Sequence, residues 1–179
     1  MSATASLARF DPVLRALGWG GAVGLWLLPL VAGRFLSGFD WSVMDYVVWG
    51  VMLLTAASVF EASLRLSPRL DYRLASWIAL SAGFLLVWAN LAVGIVGDEG
   101  HPLNALFFAV LIVPVVGAFV SGFRARGMAI SLLLTALAQG LAALPALALG
   151  ERDVLLTGAW IAGWLVSAAL FRRAPRVSH

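Results

Sequence analysis

The sequence predicts an all-α membrane protein, a bundle of six transmembrane helices with short loops and both termini in the cytoplasm. Three observations predict it: the composition, six separate apolar runs, and the placement of the arginines. Of the 179 residues, 62% are hydrophobic and only 12% are charged. Soluble domains carry about 25% charged residues, so this chain has too few charges to cover a water-facing surface.

The six apolar runs fill most of the chain and fit one transmembrane domain over residues 1–179. Each run is close to the ~20 apolar residues that a helix needs to cross a bilayer. None alternates with the period of two that a barrel strand requires. Backbone groups in hydrocarbon have to be satisfied within the segment, which requires a helix. The predicted spans are residues 14–35, 43–65, 74–96, 105–123, 128–149 and 154–171.

The 12 basic residues, all arginine, predict the orientation. Cytoplasmic loops of membrane proteins carry the excess of Lys and Arg. Only Arg34 and Arg152 fall on one side of the predicted bundle, and the other ten fall on the opposite side. We therefore expect a multi-pass protein of the bacterial inner membrane with both termini cytoplasmic. The ten are Arg9, Arg15, Arg65, Arg69, Arg73, Arg124, Arg126, Arg172, Arg173 and Arg176.

Polar residues gather at the predicted non-cytoplasmic ends of the second, third and fourth spans. Oxygen and imidazole groups so placed predict a cation, metal or polar-ligand site. In the structural alternative, Asp45 favours the positive N-terminal end of its helix and Asn104 caps the fourth helix. A lone histidine cannot build a multi-histidine zinc or haem site, so no metal or cofactor is assigned. The candidate residues are Asp40, Asp45, Asn90, Asp98, Glu99, His101 and Asn104.

Further polar residues fall inside the spans, where they are costly. Glu61 lies about one turn inside the cytoplasmic end of the second span, and Arg65 follows at the spacing of a helical ion pair. Gln139 lies near the middle of the fifth span, with Thr135 one turn before it. A proton or substrate relay is one interpretation. A local ion pair and a hydrogen bond between helices are the structural alternatives.

Small residues and prolines add two expectations about packing. Small residues four apart allow close helix contacts, within the bundle or between copies. Pro29 and Pro114 are expected to interrupt the first and fourth helices, and their similar surroundings leave open an inverted repeat of the kind found in transporters. The small pairs are Gly20 and Gly24, Gly117 and Ser121, and Gly158 and Ala162.

The sequence lacks the motifs of several function classes. The chain contains no nucleophile-elbow, phosphate-loop or zinc-protease motif and no cysteine, and its arginines form no groove suited to nucleic acid. The leading hypothesis is a non-enzymatic accessory subunit or small homo-oligomer, whose partners are the lipid bilayer and either other membrane subunits or itself. One alternative is a small transporter or channel with a polar site at the outer mouth. A weaker one is a membrane enzyme using Asp98, Glu99 and His101 in acid–base work.

One segment carries a family resemblance. Residues 84–104, FLLVWANLAVGIVGDEGHPLN, resemble the signature of a family of small, uncharacterised bacterial inner-membrane proteins. Residues 40–45, 123–129 and 135–139 are similar to the same family, so the likeness covers roughly residues 28–173. In that family the residue before the loop proline is commonly Asn, whereas here it is His101. The resemblance implies the six-helix fold and the location, and it implies no activity.

Overall fold

The computed structural model describes residues 10–36 and 40–174. In these ranges the regular structure is entirely helical: seven α-helices and one 3₁₀ turn. Arg9, Arg176 and both termini, which the orientation prediction uses, lie outside the described residues. The elements are α1 (Asp11–Phe35), α2 (Val43–Leu66), α3 (Leu70–Ala92), α4 (Asn104–Val110), α5 (Ile112–Val120), α6 (Ala125–Ala148), the 3₁₀ turn (Asp153–Thr157) and α7 (Gly158–Arg173).

The predicted all-helical class is confirmed. Five helical stretches are long and apolar enough to cross a membrane, and the sixth, Asn104–Val120, is shorter. The third helix occupies residues 70–92 rather than 74–96 because the chain turns at Gly94, which adopts a φ of +77°. The 3₁₀ turn precedes the last helix, so α7 begins at Gly158 instead of Val154.

The fourth span is broken at Leu111, as expected from Pro114. Proline has no N–H to donate to the carbonyl four residues earlier, and its ring clashes with that carbonyl. Here that carbonyl belongs to Val110, the last residue of α4. The chain changes hydrogen-bond pattern at this point, with the Leu111 N–H bonded to the Phe108 carbonyl at 3.1 Å.

Pro29 behaves differently, and the prediction that it interrupts the first helix is wrong. α1 runs unbroken from Asp11 to Phe35 with Pro29 buried inside it. The carbonyl left without an intrahelical donor is that of Leu25, and Trp49 of α2 donates its indole N–H to it at 3.0 Å. A neighbouring helix thus replaces the hydrogen bond that proline removes, which is how transmembrane helices tolerate proline.

The chain divides into two compact units, Met1–Pro68 (unit 1) and Arg69–His179 (unit 2). Unit 1 is the hairpin of α1 and α2, which meet where Phe60 packs on Gly18. A Cβ at Gly18 would lie 2.7 Å from the ring, so only glycine fits without a shift. The prediction of a single domain is not tested by this division.

Unit 2 contains the larger core. α7 packs against both α3 and α6, while α5 packs against α6. Small residues set the distances, because Gly117 of α5 lies directly against Ser131 of α6. The close helix contact predicted at Gly158 is made instead by Gly163. A Cβ at Gly163 would lie 3.6 Å from Ala82 of α3, whereas a Cβ at Gly158 would meet nothing within 4 Å.

Candidate functional site

Asn104 organises the loop between α3 and α4, residues 93–103, which we name the polar loop. Its side chain is 3% exposed. Its Oδ1 accepts the N–H groups of Ile95 (3.0 Å) and Val96 (2.9 Å), and its Nδ2 donates to the carbonyls of Val96 (3.3 Å) and Asp98 (2.6 Å). An amide side chain offers two donors and two lone pairs. All four are used within the loop, so Asn104 has no capacity left for a ligand.

The polar loop is tight because two glycines adopt left-handed conformations. Gly94 has a φ of +77° and Gly97 a φ of +61°. A Cβ at Gly94 would collide with the Asp98 carbonyl and lie 2.9 Å from Asn104 Nδ2. Glycine is the residue that reaches this φ without strain, and here it also makes room for the amide of Asn104.

The other candidates of the polar loop serve local turns. The Asp98 carboxylate accepts the N–H of Gly100 at 3.1 Å, and the Nδ1 of His101 accepts the N–H of Leu103 at 3.3 Å. Glu99 is exposed. The predicted cap of α4 by Asn104 is wrong, because its side chain bonds to the preceding loop and makes no cap bond to the helix. The helix start is instead stabilised by backbone bonds such as that from Asn104 N–H to the His101 carbonyl at 2.9 Å.

Asp40 and Asp45 belong to unit 1 and the rest of the predicted outer cluster to unit 2. Asp45 forms a capping box with Ser42: its carboxylate accepts the Ser42 N–H at 2.7 Å, and its own N–H donates to the Ser42 hydroxyl at 3.3 Å. The predicted role of Asp45 at the start of its helix is therefore confirmed. Asp40 is exposed. Across residues 10–36 and 40–174, no group of three or more His, Asp or Glu side chains could hold a metal ion.

Asn90 and Gln139 are buried in unit 2 with polar atoms to spare. Asn90 Nδ2 donates to the Asn104 carbonyl at 2.9 Å, but Asn90 Oδ1 has no partner among the described residues. Gln139, 0% exposed, has no partner there for either amide atom. The buried indole N–H of Trp164 also has no hydrogen-bond partner among the described residues. Each unmet buried group costs about 1–3 kcal/mol, so this arrangement is energetically expensive.

Thr135, the predicted companion of Gln139, bonds within its own helix. Its hydroxyl donates to the Ser131 carbonyl at 2.9 Å. The structure thus brings Thr135 and Gln139 to the same buried face of α6 without joining them.

Glu61 lies between two arginines of unit 1. Its Oε1 is 2.6 Å from Arg65 Nε on the same helix and 3.2 Å from Arg15 Nε on α1. The sequence spacing pointed to Arg65 and missed Arg15, because the alignment of α1 against α2 is a tertiary property. The ion pair between Glu61 and Arg15 joins the N-terminal part of α1 to the C-terminal part of α2.

Aromatic and hydroxyl donors between helices were also missed by sequence reasoning. In unit 1, Trp26 donates its indole N–H to the Tyr46 carbonyl at 3.4 Å, lying over Gly50. In unit 2, bonds between helices run from Trp160 Nε1 to the Ala82 carbonyl (3.0 Å), Ser167 Oγ to the Ala75 carbonyl (2.6 Å) and Ser131 Oγ to the Val113 carbonyl (3.2 Å). Tyr72 Oη donates to the Phe123 carbonyl in the turn before α6 (2.8 Å). In every case the acceptor is a backbone carbonyl. Because every residue has one, the sequence does not show which carbonyl a side chain will meet.

The long apolar helices, the helix contacts at small residues and the polar bonds aimed at neighbouring backbones fit a helical bundle with several helices long and apolar enough to cross a membrane. No protein-family model, curated protein or solved structure matches this chain.

Proposed function

We propose that this protein is a non-enzymatic integral membrane protein that acts through helix association, as an accessory subunit of a membrane complex or as a small homo-oligomer. The observation that carries the proposal is the face of α1 directed away from α2. Gly20 and Gly24 lie four residues apart on that face, and a Cβ at either position would meet nothing within 4 Å. Both residues are exposed.

The physical argument concerns what drives helices together in lipid. Acyl chains are as apolar as leucine, so association depends on close packing, which small residues permit. Two other glycines are already used in this way, Gly117 against Ser131 and Gly18 against Phe60. The Gly20–Gly24 face is the same kind of surface without an intramolecular partner in the hairpin.

The location proposed is the bacterial inner membrane with the arginine-rich loops in the cytoplasm. Charge within unit 2 supports this orientation. Arg124 and Arg126 lie at the start of α6, while Glu151, Arg152 and Asp153 follow its end. A cysteine at Arg126 should resist a membrane-impermeant thiol reagent in intact cells, whereas one at Glu151 should react. The opposite pattern would refute the orientation, and the absence of native cysteines makes the readout clean.

Association is tested on the full chain purified in mild detergent, with its mass measured by light scattering and native mass spectrometry. The wild type should carry a second copy or another membrane subunit. The double variant Gly20→Val/Gly24→Val should be a bare monomer, because a Cβ at either position meets nothing within 4 Å and the added side chains would block a helix contact made beyond the hairpin. Gly21→Val is the matched control, since this glycine is also open, and it should retain the partner. A monomeric wild type, or a double variant that keeps its partner, would refute the proposal.

A small transporter or channel is the second candidate, and the unpartnered amide of Gln139 favours it. A polar path through unit 2 would need groups of this kind with free hydrogen-bonding capacity, and Asn90 Oδ1 is another. Proton and sodium flux into vesicles holding the purified protein would test it. The candidate requires flux that Gln139→Leu and Asn90→Leu abolish, and equal flux in these variants and the wild type would eliminate it.

A further inference from the structure

A groove runs along unit 2 between α3 and α7. The helices lie antiparallel, since Tyr72 at the start of α3 stacks edge-on against Phe171 near the end of α7, with ring centroids 5.0 Å apart. The groove has a volume of about 510 Å³, within the roughly 300–1,000 Å³ of ligand sites. Its α3 wall consists of Leu74, Trp77, Ile78, Ser81, Ala82 and Leu85.

The walls of the groove suit hydrocarbon. The surface is almost wholly apolar, and the indole N–H of Trp160 on the α7 wall is already bonded to the Ala82 carbonyl at 3.0 Å. The close approach of Gly163 to Ala82 forms the floor. Among the residues that the structure describes, no charged side chain lines the groove, so its contacts favour a chain of methylene groups over a polar ligand.

The height of the groove matches one leaflet. Leu74 and Leu85 are eleven residues apart on α3, which corresponds to roughly 16 Å of helix. Half of a hydrocarbon core of about 30 Å is about 15 Å. The groove therefore spans one leaflet and begins one turn inside the end of unit 2 where α3 starts.

That end of unit 2 is strongly basic, and the opposite end is acidic. The turn between α5 and α6 belongs to the basic end, because Tyr72 bonds to the Phe123 carbonyl. Among the described residues, the basic end carries Arg69, Arg73, Arg124, Arg126, Arg172 and Arg173 against Asp71, and the other end carries Asp98, Glu99, Glu151 and Asp153 against Arg152. Basic residues at the ends of membrane helices attract anionic headgroups, at roughly fivefold in binding per residue.

We propose that this groove binds an anionic glycerophospholipid, with one acyl chain along α3 and α7 and the phosphate at the arginine end. Arg173 is the residue assigned to the headgroup. It is exposed at the last turn of α7, ten residues after Gly163, so it stands about 80° from the groove at 100° per residue. Arg172, nine residues after Gly163, lies on the opposite face of the helix and is the matched comparison.

The test uses the full chain in nanodiscs of mixed phosphatidylglycerol and phosphatidylcholine with identical acyl chains, followed by native mass spectrometry of the released protein. The wild type should retain phosphatidylglycerol preferentially. Arg173→Gln should reduce that preference about fivefold, and Arg172→Gln should leave it unchanged. Equal retention of the two lipids by the wild type, or equal loss in both arginine variants, would overturn the proposal.

A second variant tests the groove itself. Ser81 is exposed on the groove wall, so Ser81→Phe should fill the groove without breaking an internal contact and should abolish retention of either lipid. Leu165→Phe places the same ring at an exposed position of α7, two residues from Gly163 and off the groove, and should retain the lipid. Unchanged retention by Ser81→Phe would refute the site, as would a polypeptide rather than lipid crosslinked to a cysteine at that position.

Discussion

The two units have similar hydropathy but differ in how much of their apolar surface is buried. In unit 1, 6% and 11% of the most apolar stretches of α1 and α2 are buried, whereas in unit 2 the corresponding values for α3, α6 and the final span are 22%, 44% and 33%. The helices of unit 1 are joined by a few polar bonds and by contacts such as Phe60 on Gly18 and Trp26 on Gly50, while unit 2 has a packed core. An equally apolar sequence can therefore build either a core or a surface, because each helix of a two-helix hairpin has fewer neighbours to pack against than the helices of unit 2.

The largest expected effect is in unit 2, at Asn104. Replacing it with Ala leaves the N–H groups of Ile95 and Val96 and two carbonyls of the polar loop without a partner. The free energy of unfolding should fall by about 3–5 kcal/mol, because each unmet buried group costs about 1–3 kcal/mol. Unfolding in mixed detergent, followed by tryptophan fluorescence, measures it. Asp98→Ala removes one exposed side-chain bond and is the control, and similar stabilities for the two variants would contradict the assigned role.

The contrast between packed and open glycines gives the next effect. A Cβ at Gly117 would collide with Ser131 Oγ, whereas one at Gly20 meets nothing. Gly117→Ala should therefore destabilise by about 1–3 kcal/mol, the usual cost of overpacking. Gly20→Ala should be neutral or slightly stabilising, because alanine lowers the entropy of the unfolded chain. Equal melting temperatures of the two variants would show that the open and packed surfaces are not distinct.

Within unit 1, the bond from Trp49 to Leu25 can be tested by a double-mutant cycle. Trp49→Phe leaves the Leu25 carbonyl unmet beside Pro29 and should cost about 1–2 kcal/mol. Pro29→Ala restores an N–H four residues after Leu25, so the same Trp49→Phe change should cost less in that background. Unfolding free energies of the four proteins give the coupling. Strictly additive effects would mean that the indole does not replace the bond lost at proline.

The smallest effect has the opposite sign. Gln139→Leu removes two amide atoms that find no partner among the described residues and keeps a similar volume, so unfolding should become harder by about 1 kcal/mol. The matched change Asn90→Leu removes a used donor, that to the Asn104 carbonyl, and should be destabilising. A loss of stability in Gln139→Leu comparable to that in Asn90→Leu would show that the amide is satisfied in the folded protein.

The helices could be predicted from sequence because each apolar run has the length and composition that membrane helices require. Proline shows where such prediction stops. Pro29 and Pro114 look alike in sequence, yet one lies in a continuous helix and the other follows a break, because only Leu25 has an indole donor across from it. Similarly, Asn104 stands out in the sequence as a candidate polar residue, whereas the left-handed turns at Gly94 and Gly97 were not predicted. The hydrogen-bond partners of the Asn104 side chain are backbone groups, whose positions depend on the folded loop.

The polar loop has a practical consequence for insertions. Asn104 bonds to backbone groups between Ile95 and Asp98, so the number of residues separating them is fixed, and an epitope placed inside that stretch would disrupt it. The turn after α6 is different, since Gly150, at a φ of +87°, has open space around it. A reporter peptide used to detect this protein in living cells should therefore be inserted after Gly150. In a library of random insertions, we expect folded chains with insertions there and none with insertions between Ile95 and Asp98.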